Sequence, residues 1–164
     1  MNFTIRPLRP DEAALYRDVR LEGLRLHPDC FGAAFEQEAA EPLAFFTARL
    51  ESNTIFGGFR DQELLGIAGF MREAGLKRAH KAHLYGMYVR AAARGTGLAR
   101  GLVAALLDHA REHVELVQLS VVAGNGAARR LYESFGFRPF GIEERALFVD
   151  GRCLDEIHMV KRPI

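Results

Sequence analysis

The chain has 164 residues, of which 49% are hydrophobic and 26% charged, and its formal net charge is +1. This length suits one core, since domains commonly hold roughly 100–150 residues, and a single domain over residues 1–164 is expected. The charge balance gives no electrostatic case for nucleic acid as partner, no apolar run approaches a membrane span, and two cysteines are too few for a disulfide framework.

Residues 3–6 alternate as a first strand, in a charged start without a signal-peptide core. Asp11 is placed to cap a helix reaching about Leu26, ended by His27-Pro28. Residues 30–40 read as an irregular connector, and Pro42 suits the first turn of a short helix whose apolar side carries Phe45, Phe46 and Leu50. Residues 54–59 and 64–71 form a hairpin around Asp61-Gln62. A polar connector leads to residues 84–89, a strand by its aromatic and β-branched content. Leu98, Leu102 and Leu106 then recur at helical spacing and predict a helix to about Glu112.

Residues 116–122 read as a strand and residues 125–135 as a helix. Asp150-Gly151, between strands at 146–149 and 153–160, marks a hairpin, because a type I′ turn needs positive φ at both central residues. The order β-α-α-β-β-β-α-β-α-β-β mixes hairpins with two β-α-β crossovers. It predicts an α/β fold of mixed α+β topology, with a twisted mixed sheet of about seven strands and helices on both faces. Cys30 and Cys153 are expected as free thiols in a reducing cytoplasm.

Gly95 and Gly97 lie at the entrance of the helix from Leu98, where backbone N–H groups lack partners and the macrodipole favours anions. Glycine there permits the φ values that aim successive N–H groups at one point, which is how a phosphate or pyrophosphate is held. A Walker loop needs Gly-Lys-Ser/Thr, but Leu98 follows Gly97. A dinucleotide fingerprint needs a small residue at position 100, where Arg100 stands, and begins where the strand ends, whereas residues 90–94 intervene. What remains is Arg/Gln-x-x-Gly-x-Gly/Ala, met by Arg94, Gly97 and Ala99. A second signature follows, with Asn125, Ala128, Leu131 and Tyr132 at the spacing Asn-x-x-Ala-x-x-Leu-Tyr and then Gly136-Phe137.

Together these resemble the two signatures of the GNAT superfamily of acyl-CoA-dependent N-acetyltransferases, in the right order and over nearly the whole chain. The resemblance implies acetyl-CoA as cosubstrate, with no metal, and a primary amine as acceptor, either a small molecule or a protein N-terminus. It implies that the pyrophosphate is held by Arg94, Gly95, Thr96, Gly97, Leu98, Ala99 and Arg100. The pantetheine arm would meet the backbone of Met87, Tyr88 and Val89 and the side chain of Asn125, in an opening where strand 84–89 splays from strand 116–122. Tyr132 stands where the family's general acid stands, able to protonate the departing thiolate.

For the base, His80 and His83 flank the strand entrance and point to opposite faces, so at most one faces the cleft. His83 is the candidate carried forward, although many family members have a glutamate near its position; Glu143 and Glu144 are further candidates. Acceptor shape would be set by residues 27–41 and 143–154, where Phe31, Phe35, Glu36, Glu38 and Glu41 suit a cationic acceptor with an apolar body. His109, Glu112 and His113 fit the H-x-x-E-H of certain zinc proteases, but they end a helix, where cationic histidines favour the dipole, and no third-ligand motif accompanies them. The basic cluster of Arg72, Lys77, Arg78, His80 and Lys81 reads as a solvated connector. The alternative from another class is a non-catalytic acyl-CoA binder or sensor, and a homodimer is left open as the assembly.

Overall fold

The computed structural model describes residues 2–164. Strand β1 (Thr4–Pro7) leads through a 3-10 turn at Pro10–Glu12 into helix α1 (Ala13–Leu26). Pro10 starts that turn with φ already set, so the capping position falls on Glu12 and not on Asp11, as the sequence suggested. Asp11 instead takes the Arg9 side chain at 3.2 Å. The Glu12 carboxylate accepts from Arg6 Nη2 at 2.7 Å, Arg6 Nη1 at 2.9 Å and the Arg9 backbone N–H at 2.8 Å.

The hydrogen bonds from Arg6, joined by the Arg9 N–H, outweigh burial and hold the Glu12 carboxyl at about 2, below its ordinary 4.5. A carboxyl depressed in the folded state contributes stability above its unfolded pKa and loses it as pH falls through the folded value. Glu12→Gln is therefore expected to lower the melting temperature at pH 7. It should also flatten the loss of stability between about pH 4.5 and 2, as read by thermal melts across that range. An unchanged acid limb would show that Glu12 is not the group responsible.

The connector expected to be irregular contains a 3-10 turn at Pro28–Cys30 and a one-turn helix, α2 (Phe35–Ala39), too short to leave an apolar period in the sequence. Helix α3 (Leu43–Ser52) and the hairpin of β2 (Thr54–Arg60) and β3 (Glu63–Arg72) follow. Strand β4 (Lys81–Val89) starts three residues before the stretch recognised by composition. Then come α4 (Leu98–Arg111), β5 (Leu116–Val122), α5 (Gly126–Ser134), β6 (Arg138–Val149) and β7 (Arg152–Lys161). Asp150 and Gly151 have φ of 49° and 76°, both positive as the turn requires.

The seven described strands form one mixed sheet in the order β1-β2-β3-β4-β5-β7-β6. Only β4 and β5 pair in parallel, and α4 supplies the crossover that parallel neighbours need. On one face, α1 and α3 pack Tyr16, Val19, Phe46 and Leu50 against Ile55, Ile67 and Tyr88. On the other, Leu98, Leu102 and Leu106 of α4 and Tyr132 of α5 pack on Leu65, Leu84, Val117 and Met159. Leu102 and Leu106 have no exposed surface, and burying each contributes about 1.5–3 kcal/mol. That stripe anchors α4, so the loop before it is held at a fixed place over the sheet.

Two features open the centre of the sheet. Pairing between β4 and β5 covers only Lys81↔Leu116, Ala82↔Val117 and His83↔Gln118. Beyond His83, β4 stays with β3 while β5 stays with β7, so the two strands part as the splay expected from the family requires. Within the parting, β4 carries a bulge. Tyr85 pairs with Gly69 and Tyr88 with Ile67, leaving Gly86 and Met87 opposite Ala68 alone. Such a bulge leaves backbone groups outside the ladder and re-aims the strand. Gly86 makes it with a φ of +60°, where a side chain would be strained.

Candidate active site

Helix α4 begins at Gly97, whose φ of 87° and ψ of 0° place it in the left-handed region. Gly95 before it has φ 73°, after a 3-10 turn at Ala91–Ala93. A Cβ built on either glycine would meet nothing within 4 Å. They therefore serve conformation and outward access, not internal packing, as a loop that receives a bulky anion must. The first turn of a helix lacks intrahelical partners for its N–H groups, and the positive end of this 14-residue helix lies at the same place.

Arg94 donates from Nη2 to His27 Nε2 at 2.9 Å and from Nε to the Val89 carbonyl at 3.2 Å, tying the loop to the end of β4. Arg100 donates to Ser134 Oγ at 3.0 Å and lies over the Phe135 ring, joining α4 to α5. Thr96 donates its hydroxyl to the Ala93 carbonyl and closes the turn.

The parting of β4 and β5 holds a cleft of about 600 Å³. Met87, Tyr88 and Val89 border it from β4, Leu119 and Val121 from β5, and Asn125, Leu131 and Tyr132 from α5, with Arg94 and Ala99 at the loop. The two signatures, 31 positions apart between Arg94 and Asn125, are thus brought to one opening. Asn125 caps α5, its Oδ1 accepting from the Ala128 N–H at 3.3 Å, while its amide Nδ2 donates to Cys30 Sγ at 3.7 Å. The Tyr88 side chain leaves the cleft. Its ring lies against Gly23 of α1, where a Cβ would come within 2.9 Å, and its hydroxyl donates to Glu22 at 2.9 Å.

Tyr132 is 6% exposed, with its ring edge-on to Phe137 at 5.9 Å. Burial pushes its phenol well above the ordinary value of 10, so it is a protonated donor throughout the neutral range. Among the described residues no group accepts from that hydroxyl.

His83 lies elsewhere. It lines a second cavity of about 410 Å³ on the α1 and α3 side of the sheet, continuous with the cleft through Cys30, Phe31, Tyr85, Gly86 and Ser120. Its Nε2 is 2.8 Å from Glu73 Oε1. That hydrogen bond and the nearby Lys81 ammonium keep the Glu73 carboxyl below its usual range. Glu73 also meets Lys81 at 3.4 Å and Arg78 at 3.7 Å, so part of the basic cluster is paired within the connector. His80 is exposed, and its carbonyl accepts from the Glu115 and Leu116 N–H groups.

Several groups had no signal in the sequence. Arg20, Arg49, Ser120 and Glu156 join His83 around the second cavity. Ser120 Oγ lies 2.7 Å from His158 Nδ1, and His158 Nε2 lies 3.1 Å from Glu143 Oε2, a hydrogen-bonded chain across β5, β7 and β6. Glu144, the other sequence candidate on β6, is exposed and lines neither cavity. Sheet register sets Ser120 directly opposite His158, while Glu143, opposite Glu156, reaches His158 from the diagonal position.

Glu38, one of the glutamates expected to suit a cationic acceptor, is not free for that role. It is 5% exposed and bound by two arginines, Arg20 Nε at 2.8 Å and Arg49 Nη1 at 2.6 Å. Burial works against its charge, but hydrogen bonds and charges from Arg20 and Arg49 outweigh that and hold its carboxyl low. His109 and His113 stack at 4.0 Å, with His109 edge-on to Phe56 and Phe70. Among the described residues no group of three or more His, Cys, Asp or Glu is placed to hold a metal ion, and no helix is long and apolar enough to cross a membrane.

Residues 20–137 match the family model described as Acetyltransferase (GNAT) family. The chain belongs to this family. It is 34% identical over 119 residues to the N-alpha-acetyltransferase RimI of Mycobacterium tuberculosis, covering 73% of this chain and 68% of that one. The fold is shared with a GNAT acetyltransferase from Streptococcus pneumoniae at a TM-score of 0.87 and 20% identity, covering 98% and 99% of the two chains. It is also shared with yncA of Salmonella typhimurium, a putative acetyltransferase solved with acetyl-CoA, at a TM-score of 0.82 and 23% identity, covering 100% and 95%.

This GNAT protein is an acyl-CoA-dependent N-acetyltransferase, and acetyl-CoA is its cosubstrate. Its own residues fit that molecule. Open glycine backbone at a helix N-terminus suits a pyrophosphate, and a mostly apolar slot between parted strands suits an extended arm. The bulge at Gly86 and Met87 lies at the far part of the same slot from Arg94 along β4.

Proposed function

We propose that this enzyme transfers the acetyl group of acetyl-CoA directly to a primary amine, a small molecule or a protein N-terminus, with Tyr132 as general acid. The observation that carries this reading is the Tyr132 hydroxyl, held protonated by burial and without a hydrogen-bond partner among the described residues, on the wall of the cleft that the bulged β4 also borders. Acetyl-CoA supplies an activated acyl group, so neither a metal nor a covalent enzyme adduct is needed once a neutral amine is correctly placed. The N–C bond forms, the C–S bond breaks, the amine gives up a proton on the acceptor side, and Tyr132 gives one to the thiolate. Backbone groups freed by the β4 bulge are positioned to meet the thioester oxygen as charge gathers on it. Arg94 to Arg100, Met87 to Val89 and Asn125 hold the coenzyme in this reading.

Support for an N-terminal acceptor comes from the relatives. RimI of M. tuberculosis is named an N-alpha-acetyltransferase, and a Brucella melitensis protein of the same fold is named a ribosomal-protein-alanine N-acetyltransferase. A cytoplasmic setting belongs to the same proposal and rests on two unpaired thiols, Cys30 and Cys153. The test is release of CoA thiol from acetyl-CoA by purified protein over a panel of amines and N-terminal peptides. Release no faster than hydrolysis on every amine, with acetyl-CoA bound, would favour the non-catalytic binder.

Two hydrogen-bonded chains can take the amine proton, His83 with Glu73 and Ser120 with His158 and Glu143. His83 remains the proposed route, since its imidazole lines the acceptor-side cavity, whereas His158 reaches that cavity only through Ser120. His83→Gln is expected to lower kcat about 10²-fold below pH 8 and less above it, where more of the amine is neutral without help. If His158→Gln reproduces that pattern and His83→Gln does not, the proton leaves by the second chain.

A further inference from the structure

The cavity of about 410 Å³ beside the cleft has two guanidiniums and one carboxylate beneath it. Arg20 donates Nε and Nη2 to Glu38, at 2.8 and 3.4 Å, and its side chain is 7% exposed. Its Nη1 has no partner among the described residues. That nitrogen sits directly over the β4 bulge, since a Cβ on Gly86 would come within 2.9 Å of it. Arg49 gives Nη1 to Glu38 and Tyr16, and its remaining guanidinium nitrogens have no partner among the described residues. The triad therefore carries one positive charge in excess beside the cavity, with donors to spare. A guanidinium in that position matches a carboxylate in shape as well as charge.

Charge of the opposite sign enters from the other side. Glu156 lines the cavity from β7, opposite Val122 of β5 and Glu143 of β6 in the register. Burial, with the neighbouring Glu143 charge added, raises its carboxyl above the usual range, so an ammonium beside it relieves an unfavourable placement. The walls between these groups carry Phe31, Met71 and Leu147, with His83 and Ser120 among them. A cavity with spare guanidinium donors at one side and a carboxylate at the other is complementary to a small zwitterion.

We infer that this cavity is the acceptor subsite and that it selects an amine bearing a carboxylate a few bonds away, as in a free α-amino acid, with Arg20 and Arg49 receiving the carboxylate and Glu156 the ammonium. This rests on the acetyl-transfer reading above and narrows its acceptor. An N-terminal peptide has no carboxylate at that distance, and its amide would leave the spare guanidinium donors without their charge partner.

The experiment uses L-amino acids, their carboxamides and tripeptides beginning with the same residues. Each is assayed for thiol release, and separately for thermal stabilisation of the protein in the presence of CoA. The expected result is that the best free amino acid exceeds its own carboxamide by about 10²-fold in kcat/KM, since a site built for an ionised group rejects the analogue lacking it. It should also stabilise the protein where the carboxamide does not.

Arg49→Met keeps Glu38 paired with Arg20. It is expected to raise KM for the amino acid about 10- to 100-fold, leave kcat and the carboxamide little changed, and be partly restored in Arg49→Lys. Equal handling of acid and amide, preference for the tripeptide, or an equal fall for acid and amide in Arg49→Met would each overturn the inference. Thermal stabilisation is read whether or not turnover occurs. Loss of acetyl transfer to every amine, with selective stabilisation by the amino acid kept, would strike the acetyl-transfer reading and leave the subsite standing.

Discussion

Gly97→Asp is expected to leave the protein folded and to abolish most of its stabilisation by acetyl-CoA. The fold tolerates the change, because a Cβ there meets nothing within 4 Å and aspartate is one of the few residues that enter the left-handed region without large strain. What it cannot tolerate is a second anion at the place prepared for one. Two unit charges about 5 Å apart near a protein surface repel by roughly 3 kcal/mol, or about two orders of magnitude in affinity. At a ligand concentration one hundred times Kd, wild-type stabilisation of about 2.7 kcal/mol would fall to about 0.4 kcal/mol. For a chain of this size that is a loss of roughly 5–10 °C in the ligand-induced melting shift.

Gly97→Asn separates charge from conformation, since asparagine enters the same backbone region without the negative charge. It should retain a substantial part of the shift. If the aspartate variant keeps the whole wild-type shift, the coenzyme pyrophosphate is not held at the start of α4.

Tyr132→Phe should lower kcat by about 10²-fold while leaving acetyl-CoA affinity nearly unchanged. The ring remains to pack on Phe137 in a site 6% exposed, so the fold loses only a hydroxyl that has no hydrogen-bond partner among the described residues. Magnitude follows from proton affinities. Burial raises the phenol above 10, whereas a coenzyme thiolate resembles cysteine at roughly 8.5, so full transfer from Tyr132 is uphill and its benefit is the hydrogen bond to the developing charge. This places the effect at the lower end of the range for acid–base groups. A phenol with a raised pKa stays protonated up to that pKa, so an alkaline limb below pH 10 belongs to another group and should persist in the phenylalanine variant. Unchanged turnover would make Tyr132 a packing residue, with water protonating the thiolate.

Local patterns carried most of the architecture. The leucine stripe of α4, the Asp150-Gly151 turn and the alternation of the β2–β3 hairpin each express a preference that neighbours in sequence can satisfy, and each appears within a few residues of its expected bounds. Strand β6, by contrast, starts at Arg138, eight residues before the strand expected at 146–149. The other errors have equally local causes. Pro10 displaced the start of α1 past Asp11, and α2 is a single turn, shorter than the period that reveals a helix. The glycine loop before α4 was legible for the same reason as α4 itself, because positive φ at Gly95 and Gly97 and a helix start are encoded next to one another.

The second cavity was not legible. Glu38 looked like a free carboxylate for a cation, yet partners 18 and 11 positions away neutralise it and leave an arginine in excess. Ser120, His158 and Glu143 are separated by up to 38 positions and meet only through the register of β5, β7 and β6. By itself, then, the amino-acid order determined most of the elements, the glycine loop before α4 and the residues of both signatures, since those depend on backbone preference and short spacing. Only the tertiary structure decided where β4 leaves β5, which charges survive unpaired and which face His83 shares with Arg20 and Glu156. These are properties of long-range pairing, in which each group's charge and exposure are set by residues that are distant in the chain.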